Sequence, residues 1–197
     1  MIDTNAVASF FDRLAPQWDA DMIRDDRIIG TILDNAHVVP GTDVLDVACG
    51  TGVLFPDYYA RSVASVTAID LSPKMAEIAR EKARAYAGFT VLSGDVTETA
   101  FDRLFDCIVL YNAFPHFADP KRLIELLAAR LKPDGYLTVA HGMSRERINR
   151  HHANVDSPVY TDLMPADALS ALFCAVLDVT AVISDDTMYQ VVGRRRR

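Results

Sequence analysis

The sequence predicts an α/β sandwich built on a mostly parallel sheet. Three observations carry that expectation. Apolar runs of strand length alternate with segments of helical periodicity, the pattern of parallel strands joined by helices. Successive apolar runs stop at acidic residues, Asp46, Asp70 and (after a glycine) Asp95. A chain of 197 residues that is 50% hydrophobic and 24% charged buries one sizeable core without a second domain.

The elements follow in order. Residues 4–35 read as helical, with Phe10, Phe11, Leu14 and Trp18 spaced as an apolar stripe. Pro40-Gly41 punctuates before the first strand, Val44-Leu45-Asp46-Val47, which breaks into the turn Ala48-Cys49-Gly50-Thr51-Gly52. Val53 to Arg61 suits a helix, and Val63 to Ile69 a second strand. Ser72-Pro73 starts a helix with a cap and a first-position proline, with Met75, Ile78, Ala79 and Lys82 along one face. Thr90-Val91-Leu92 and Phe105 to Leu110 are the third and fourth strands. Asp119-Pro120 opens a helix that turns Leu123, Leu126, Leu127 and Leu131 inward and stops at Pro133, before a fifth strand at Tyr136 to Ala140. Residues 144–173 read as two helical pieces split around Ser157-Pro158, and Ala175–Ser184 with Thr187–Val192 as a hairpin around Asp185-Asp186. One domain is expected, with a helical lid at 1–36, a core at 37–140, a helical insertion at 141–174 and the hairpin at 175–193.

The turn after the first strand carries the chemistry. Without side chains, Gly50 and Gly52 let the backbone bend sharply and a ligand come close. The helix start behind them offers free N–H groups and the positive end of a dipole. Diphosphate cofactors use G-x-G-x-x-G here, but the third glycine position is Phe55. Asp46 would repel a diphosphate and suit a cationic amine or sulfonium, which points to S-adenosylmethionine (SAM). A plain strand-helix turn needs only one glycine and no acidic escort. Asp70 stands where such folds grip a ribose diol, and Asp95 with Val96 where an adenine would lie. Singly each Asp reads as a turn or cap residue; three in register at successive strand ends read as a site.

The segments Phe10-Phe11-Asp12-Arg13-Leu14-Ala15-Pro16-Gln17-Trp18-Asp19, Leu45 to Gly52, Asp70-Leu71-Ser72-Pro73-Lys74-Met75, Gly94-Asp95, Phe105-Asp106-Cys107-Ile108-Val109 and Arg130-Leu131-Lys132-Pro133-Asp134-Gly135 are together informative. In order and spacing the chain resembles the class I SAM-dependent methyltransferases of small molecules, which include those of ubiquinone and menaquinone biosynthesis. The resemblance implies a Rossmann-like sandwich of seven strands with an antiparallel C-terminal hairpin. It also implies SAM as methyl donor, S-adenosylhomocysteine (SAH) as product, and a cofactor site of Asp46, Ala48, Gly50, Gly52, Asp70, Leu71, Asp95, Val96, Tyr111 and Asn112. Trp18 would cover cofactor or acceptor, or simply belong to the inner stripe of a lid helix. The acceptor stays open. A nicotinamide oxidoreductase and a non-catalytic SAM-binding protein are the alternatives; the missing third glycine and Asp46 oppose the first.

Methyl transfer from a sulfonium needs alignment and an apolar surround more than a dedicated base. A base matters only where the acceptor arrives protonated. Past the fourth strand, Tyr111-Asn112-Ala113-Phe114-Pro115-His116 lacks the Pro-Pro-aromatic pattern of enzymes that methylate nucleobases or glutamine amides. His116 is a base candidate with an unperturbed pKa near 6.5, or a loop-ordering residue that bonds a carbonyl. Past the fifth strand, His141 is a second candidate, and Ser144 caps a helix on which Arg145, Ile148 and His152 share a face. There Arg145 would pair an anionic acceptor group, unless the helix is simply solvated. His151 and His152, adjacent on a helix, point about 100° apart and do not serve one ion easily. No metal is expected, and His37 reads as structural.

A net charge of −7 argues against a nucleic-acid surface. The closing run Arg194 to Arg197 reads as a solvated tail. Cys49, Cys107 and Cys174 lack C-x-x-C spacing and read as reduced, buried thiols. No apolar run approaches about 18 residues, so a cytoplasmic location is expected, and the resemblance implies a small-molecule partner. Oligomeric state leaves no mark in the sequence.

Overall fold

The computed structural model describes residues 2–152 and 159–196. Five strands, β1 (Asp43–Val47), β2 (Ser65–Asp70), β3 (Phe89–Ser93), β4 (Phe105–Tyr111) and β5 (Leu131–His141), run parallel. β7 (Tyr189–Arg194) pairs antiparallel with both β5 and β6 (Asp178–Ser184), giving the order β3-β2-β1-β4-β5-β7-β6. The order reverses between β1 and β4, so their C-terminal ends splay open a crevice.

The helices are α1 (Thr4–Leu14), α2 (Trp18–Asp21), α3 (Asp26–Asn35), α4 (Phe55–Ala60), α5 (Pro73–Ala83), α6 (Pro120–Ala129), α7 (Arg145–His152) and α8 (Ala166–Cys174), with 3₁₀ turns at Ala15–Gln17 and Phe114–His116. Side chains cap most of the longer ones. Asp3 accepts from Asn5 N at 2.9 Å, Asp25 from Arg27 N at 3.0 Å, and Ser72 Oγ from Met75 N at 3.1 Å. Asp119 caps α6 ahead of its first-position proline, and Ser144 Oγ accepts from Arg147 N at 3.4 Å, as the sequence indicated.

Both sheet faces are covered, which is why β1 and β4 are largely apolar rather than alternating. Leu45, Val47, Ile108 and Leu110 pack toward α6 and α8 against Leu123, Leu127, Leu169 and Phe173. Val44, Cys107 and Val109 face the other way, toward α3, α4 and α5 with Leu33, Phe55, Tyr58 and Ala79. A buried amide ties α3 to the hairpin: Gln190 accepts from Asn35 Nδ2 at 2.9 Å and donates to Ile32 O at 2.9 Å. His37 stacks on Tyr136 at 3.9 Å, a structural role.

Several sequence boundaries move. α6 ends at Ala129, turns Ile124 and Ala128 inward and leaves Leu126 only partly buried. Leu131 belongs to β5, because the register jumps from Phe105↔Leu131 to Cys107↔Tyr136 and lets Lys132 to Gly135 bow out. A bulge accommodates Pro133, which cannot donate to the ladder. The hairpin starts at Asp178, since Val176 N and Leu177 N still bond Phe173 O at the end of α8. Within the closing run, Arg194 and Arg196 are tied down by ion pairs, and Arg197 lies outside the described residues. Arg194 lies in β7 and pairs with Asp134 at 2.5 Å, and Arg196 pairs with Asp178 at 2.7 Å. Cys49 and Cys107 are buried, and Cys174 is exposed. Ser157-Pro158 lies outside the described residues, so the break between the two helical pieces stays a sequence expectation.

Candidate active site

The backbone leaves β1 through left-handed conformations at Ala48 (φ 54°), Gly50 (φ 56°) and Gly52 (φ 83°). β2 holds this turn: Cys49 N donates to Ile69 O at 3.1 Å, and Gly50 N to Asp70 Oδ2 at 2.7 Å. The other Asp70 oxygen accepts from Ser72 N at 2.8 Å. Asp70 therefore fixes the turn and the start of α5 together. Burial pushes its carboxyl up to about 6, against the opposing pull of the two N–H donors. Asp46 is 2% exposed, and its Oδ2 has no hydrogen-bond partner among the described residues. Burial, and the neighbouring Asp70 charge, hold its carboxyl well above the usual range. A buried carboxylate lacking a partner is costly, and a cation is what relieves it.

These groups face a cavity of about 320 Å³ at the crevice. The cavity brings together Trp18, Asp46, Ala48, Gly50, Asp70, Leu71, Asp95, Val96, Tyr111, Asn112 and His116. Asp95 Oδ1 also accepts from Thr97 N and Thr97 Oγ1, each at 2.8 Å, so it shapes its own turn as it lines the wall. Asn112 (φ 55°) accepts from Gly142 N at 2.9 Å and ties the ends of β4 and β5. Burial raises the Tyr111 hydroxyl. His116 Nδ1 donates to Val159 O at 3.0 Å, and its ring meets Phe11 edge-on at 4.9 Å. That bond is the loop-ordering role, and it also assigns the lone pair of the neutral ring to Nε2.

Three sequence candidates are not cavity-lining residues. A Cβ on Gly52 would lie 2.6 Å from the Phe55 ring, so this glycine makes room for packing. His141 is 3% exposed and stands edge-on to Tyr189 at 6.0 Å, turned toward the hairpin by strand alternation. Arg145 donates from Nε to Leu163 O at 2.8 Å and supports the chain that follows α7. The side chain of His152 lies outside the described residues. Among the described residues no group of three or more His, Cys, Asp or Glu could hold a metal ion.

The roof was partly invisible in sequence. Phe11, Trp18, Met22 and Ile23 line the cavity from above. Asp12 Oδ1 accepts from Ser72 Oγ at 2.5 Å and from Lys74 N at 3.1 Å, pinning α1 to α5. Arg24 donates to Val53 O at 2.7 Å and to both Asp57 oxygens at 2.6 Å. The partners of Asp12 and Arg24 are far away in sequence, so no local spacing announces them.

This fold is the one that class I SAM-dependent methyltransferase domains share. Residues 44–135 match the family model described as a methyltransferase domain, and the chain belongs to that family. The chain is 31% identical over 140 residues to a demethylmenaquinone methyltransferase of Renibacterium salmoninarum, covering 68% of this chain and 57% of that protein. It is 35% identical over 133 residues to a ubiquinone biosynthesis O-methyltransferase of Xanthomonas campestris pv. campestris, covering 61% and 53%. A malonyl-[acyl-carrier protein] O-methyltransferase of Acetivibrio thermocellus is 31% identical over 147 residues, covering 70% and 49%. The chain thus spans about half the length of these relatives. Among solved structures, the N-methyltransferase NodS from Bradyrhizobium japonicum in complex with SAH shares the fold with a TM-score of 0.76 at 14% identity, covering 98% of this chain and 100% of that one. A DhpI–SAH complex does so with a TM-score of 0.74 at 19% identity, covering 98% and 97%.

Proposed function

We propose that the cavity binds SAM and that the chain transfers its methyl group to a small-molecule acceptor. The observation that carries this reading is the buried carboxylate pair, Asp46 and Asp70, beside an open glycine turn. Asp46, with Oδ2 lacking a partner among the described residues, suits the positively charged amino-acid end of SAM, and Ala48 and Gly50 leave backbone room beside it. Asp70 retains lone pairs for a ribose diol, because each oxygen accepts only one backbone bond. Leu71, Asp95 and Val96 border the place for adenine, and Tyr111 with Asn112 stand at the end of β4 toward the acceptor. When bound, SAM supplies an electrophilic methyl group on a sulfonium. The residues here hold and desolvate the reactants, and alignment alone carries much of the rate.

The relatives named for quinone biosynthesis support a small-molecule acceptor. The net charge of −7 weighs against nucleic acid, and no helix among the described residues is long and apolar enough to cross a membrane. Titration calorimetry with SAH and with NADH, followed by a screen of phenols, thiols, amines and quinols with labelled SAM, tests the reading. SAH binding with methyl transfer is the expected result. NADH binding without SAH binding would overturn it.

His116, which lines the cavity beside Tyr111 and Asn112, is the base for an acceptor that carries a proton. His116→Gln is expected to lower kcat about 100-fold or more, while SAH affinity stays within about twofold. An unchanged kcat removes the role.

A pH dependence follows from Asp70. Below a pKa of about 6 the free protein holds a proton there that a diol-bound carboxylate must give up. Affinity therefore falls as pH drops, by about tenfold between pH 7 and pH 5 for a single site of this kind. Comparing SAH binding across that range in the wild type and in Asp70→Asn isolates the group. Equal slopes would remove the assignment.

A further inference from the structure

Asp19 follows Trp18 at the start of α2, and its carboxylate joins three separate parts of the chain. One oxygen accepts from Thr51 Oγ1 at 2.6 Å and the other pairs with Lys82 Nζ at 2.6 Å. Thr51 is fully buried between the two turn glycines, and Lys82 lies in the last turn of α5. α2 is four residues long, buries none of them and has no side-chain cap among the described residues. Trp18 packs edge-on to Phe11 at 5.7 Å, and Asp19 adds the side-chain ties from this short, exposed helix to the turn and to α5. Next to Asp19, the indole of Trp18 lies over the turn: a Cβ on Gly50 would come within 3.7 Å of Trp18 Nε1. Lys82 and Thr51 together hold the Asp19 carboxyl below the usual range in spite of its partial burial.

We infer that Asp19 is a positioning residue that latches Trp18 over the glycine turn and thereby sets how fast an adenosyl ligand leaves the cavity. The inference rests on the cavity being the SAM site. A ligand seated beneath α1 and α2 leaves only when that roof lifts. Lifting breaks two charge-assisted hydrogen bonds at one carboxylate and strands the Thr51 hydroxyl inside a buried turn. The Lys82 arm is partly exposed, 35% on its own side and 45% on that of Asp19, so the Thr51 arm carries more of the hold.

Trp18 is the chain's one tryptophan, so its fluorescence reports the roof directly. In ligand-free protein, acrylamide quenching of Trp18 is expected to rise several-fold in Asp19→Ala. In stopped-flow displacement, SAH dissociation from Asp19→Ala is expected to be about tenfold faster, the size of a lost charge-assisted bond. Thr51→Val and Lys82→Met each remove one arm with Asp19 in place, and keep the test open should Asp19→Ala fold poorly. Thr51→Val is expected to give the larger effect. Arg84→Gln, which breaks an exposed pair with Glu81 just past the end of the same helix, should change neither reading. Wild-type quenching and wild-type dissociation in both Asp19→Ala and Thr51→Val would overturn the latch while leaving the SAM site standing. A wild-type chain that binds no SAH would overturn the SAM site and the residence-time claim together, and the quenching contrast would then decide only what holds Trp18.

Discussion

Asp70→Ala is expected to weaken SAH binding by about 1–3 kcal/mol, or roughly 5- to 150-fold. Alanine removes the acceptor for the ribose diol and for two backbone donors, Gly50 N and Ser72 N. The loss therefore reaches the turn and the start of α5 as well as the ligand. Asp70→Asn keeps one oxygen, but its amide turns a donor toward one of the two N–H groups, so an intermediate loss is expected. Calorimetry with SAH on both variants measures this, and unchanged affinity in Asp70→Ala would end the ribose assignment.

Gly52→Ala is expected to be the most destabilising change to the turn. The residue sits at φ 83°, and an added Cβ would lie 2.6 Å from the ring of Phe55, which is itself 0% exposed. Left-handed strain of about 1–2 kcal/mol and overpacking of about 1–3 kcal/mol add to roughly 2–5 kcal/mol. For a chain of this size that lowers Tm by roughly 5–15 °C. Gly41 supplies an internal control, since it has the same φ of 83° and an added Cβ there would meet nothing within 4 Å. Gly41→Ala should cost only the strain, a few degrees. Calorimetric melts of the two variants separate crowding from backbone strain. Equal losses would show that the Phe55 ring moves aside without cost.

The parallel core was legible because its physics is local. Burial on both faces leaves largely apolar runs at β1 and β4, and glycines and acidic residues mark where those runs meet the crevice. Eleven sequence candidates meet at one cavity for that reason. What depends on distant partners was not legible. Leu131 keeps helical spacing with Leu123 and Leu127, yet pairing with Phe105 claims it for β5. His141 sits at a strand end like Tyr111, but strand alternation and the antiparallel neighbour turn it toward Tyr189. The arginines at 194 and 196 look like a solvated run until Asp134 and Asp178 arrive beside them. Asp19 reads as an ordinary surface carboxylate until the fold delivers Thr51 and Lys82.

The position of β7 bears on how the molecule is made. β7 follows β6 in chain order, yet it lies between β5 and β6. On the ribosome, β5 therefore has no neighbour on one side until the hairpin emerges, and for that interval its Leu137 and Val139 border an open ladder. Nascent chains stalled before residue 189 should accordingly recruit chaperones or aggregate, whereas chains that have released β7 should not.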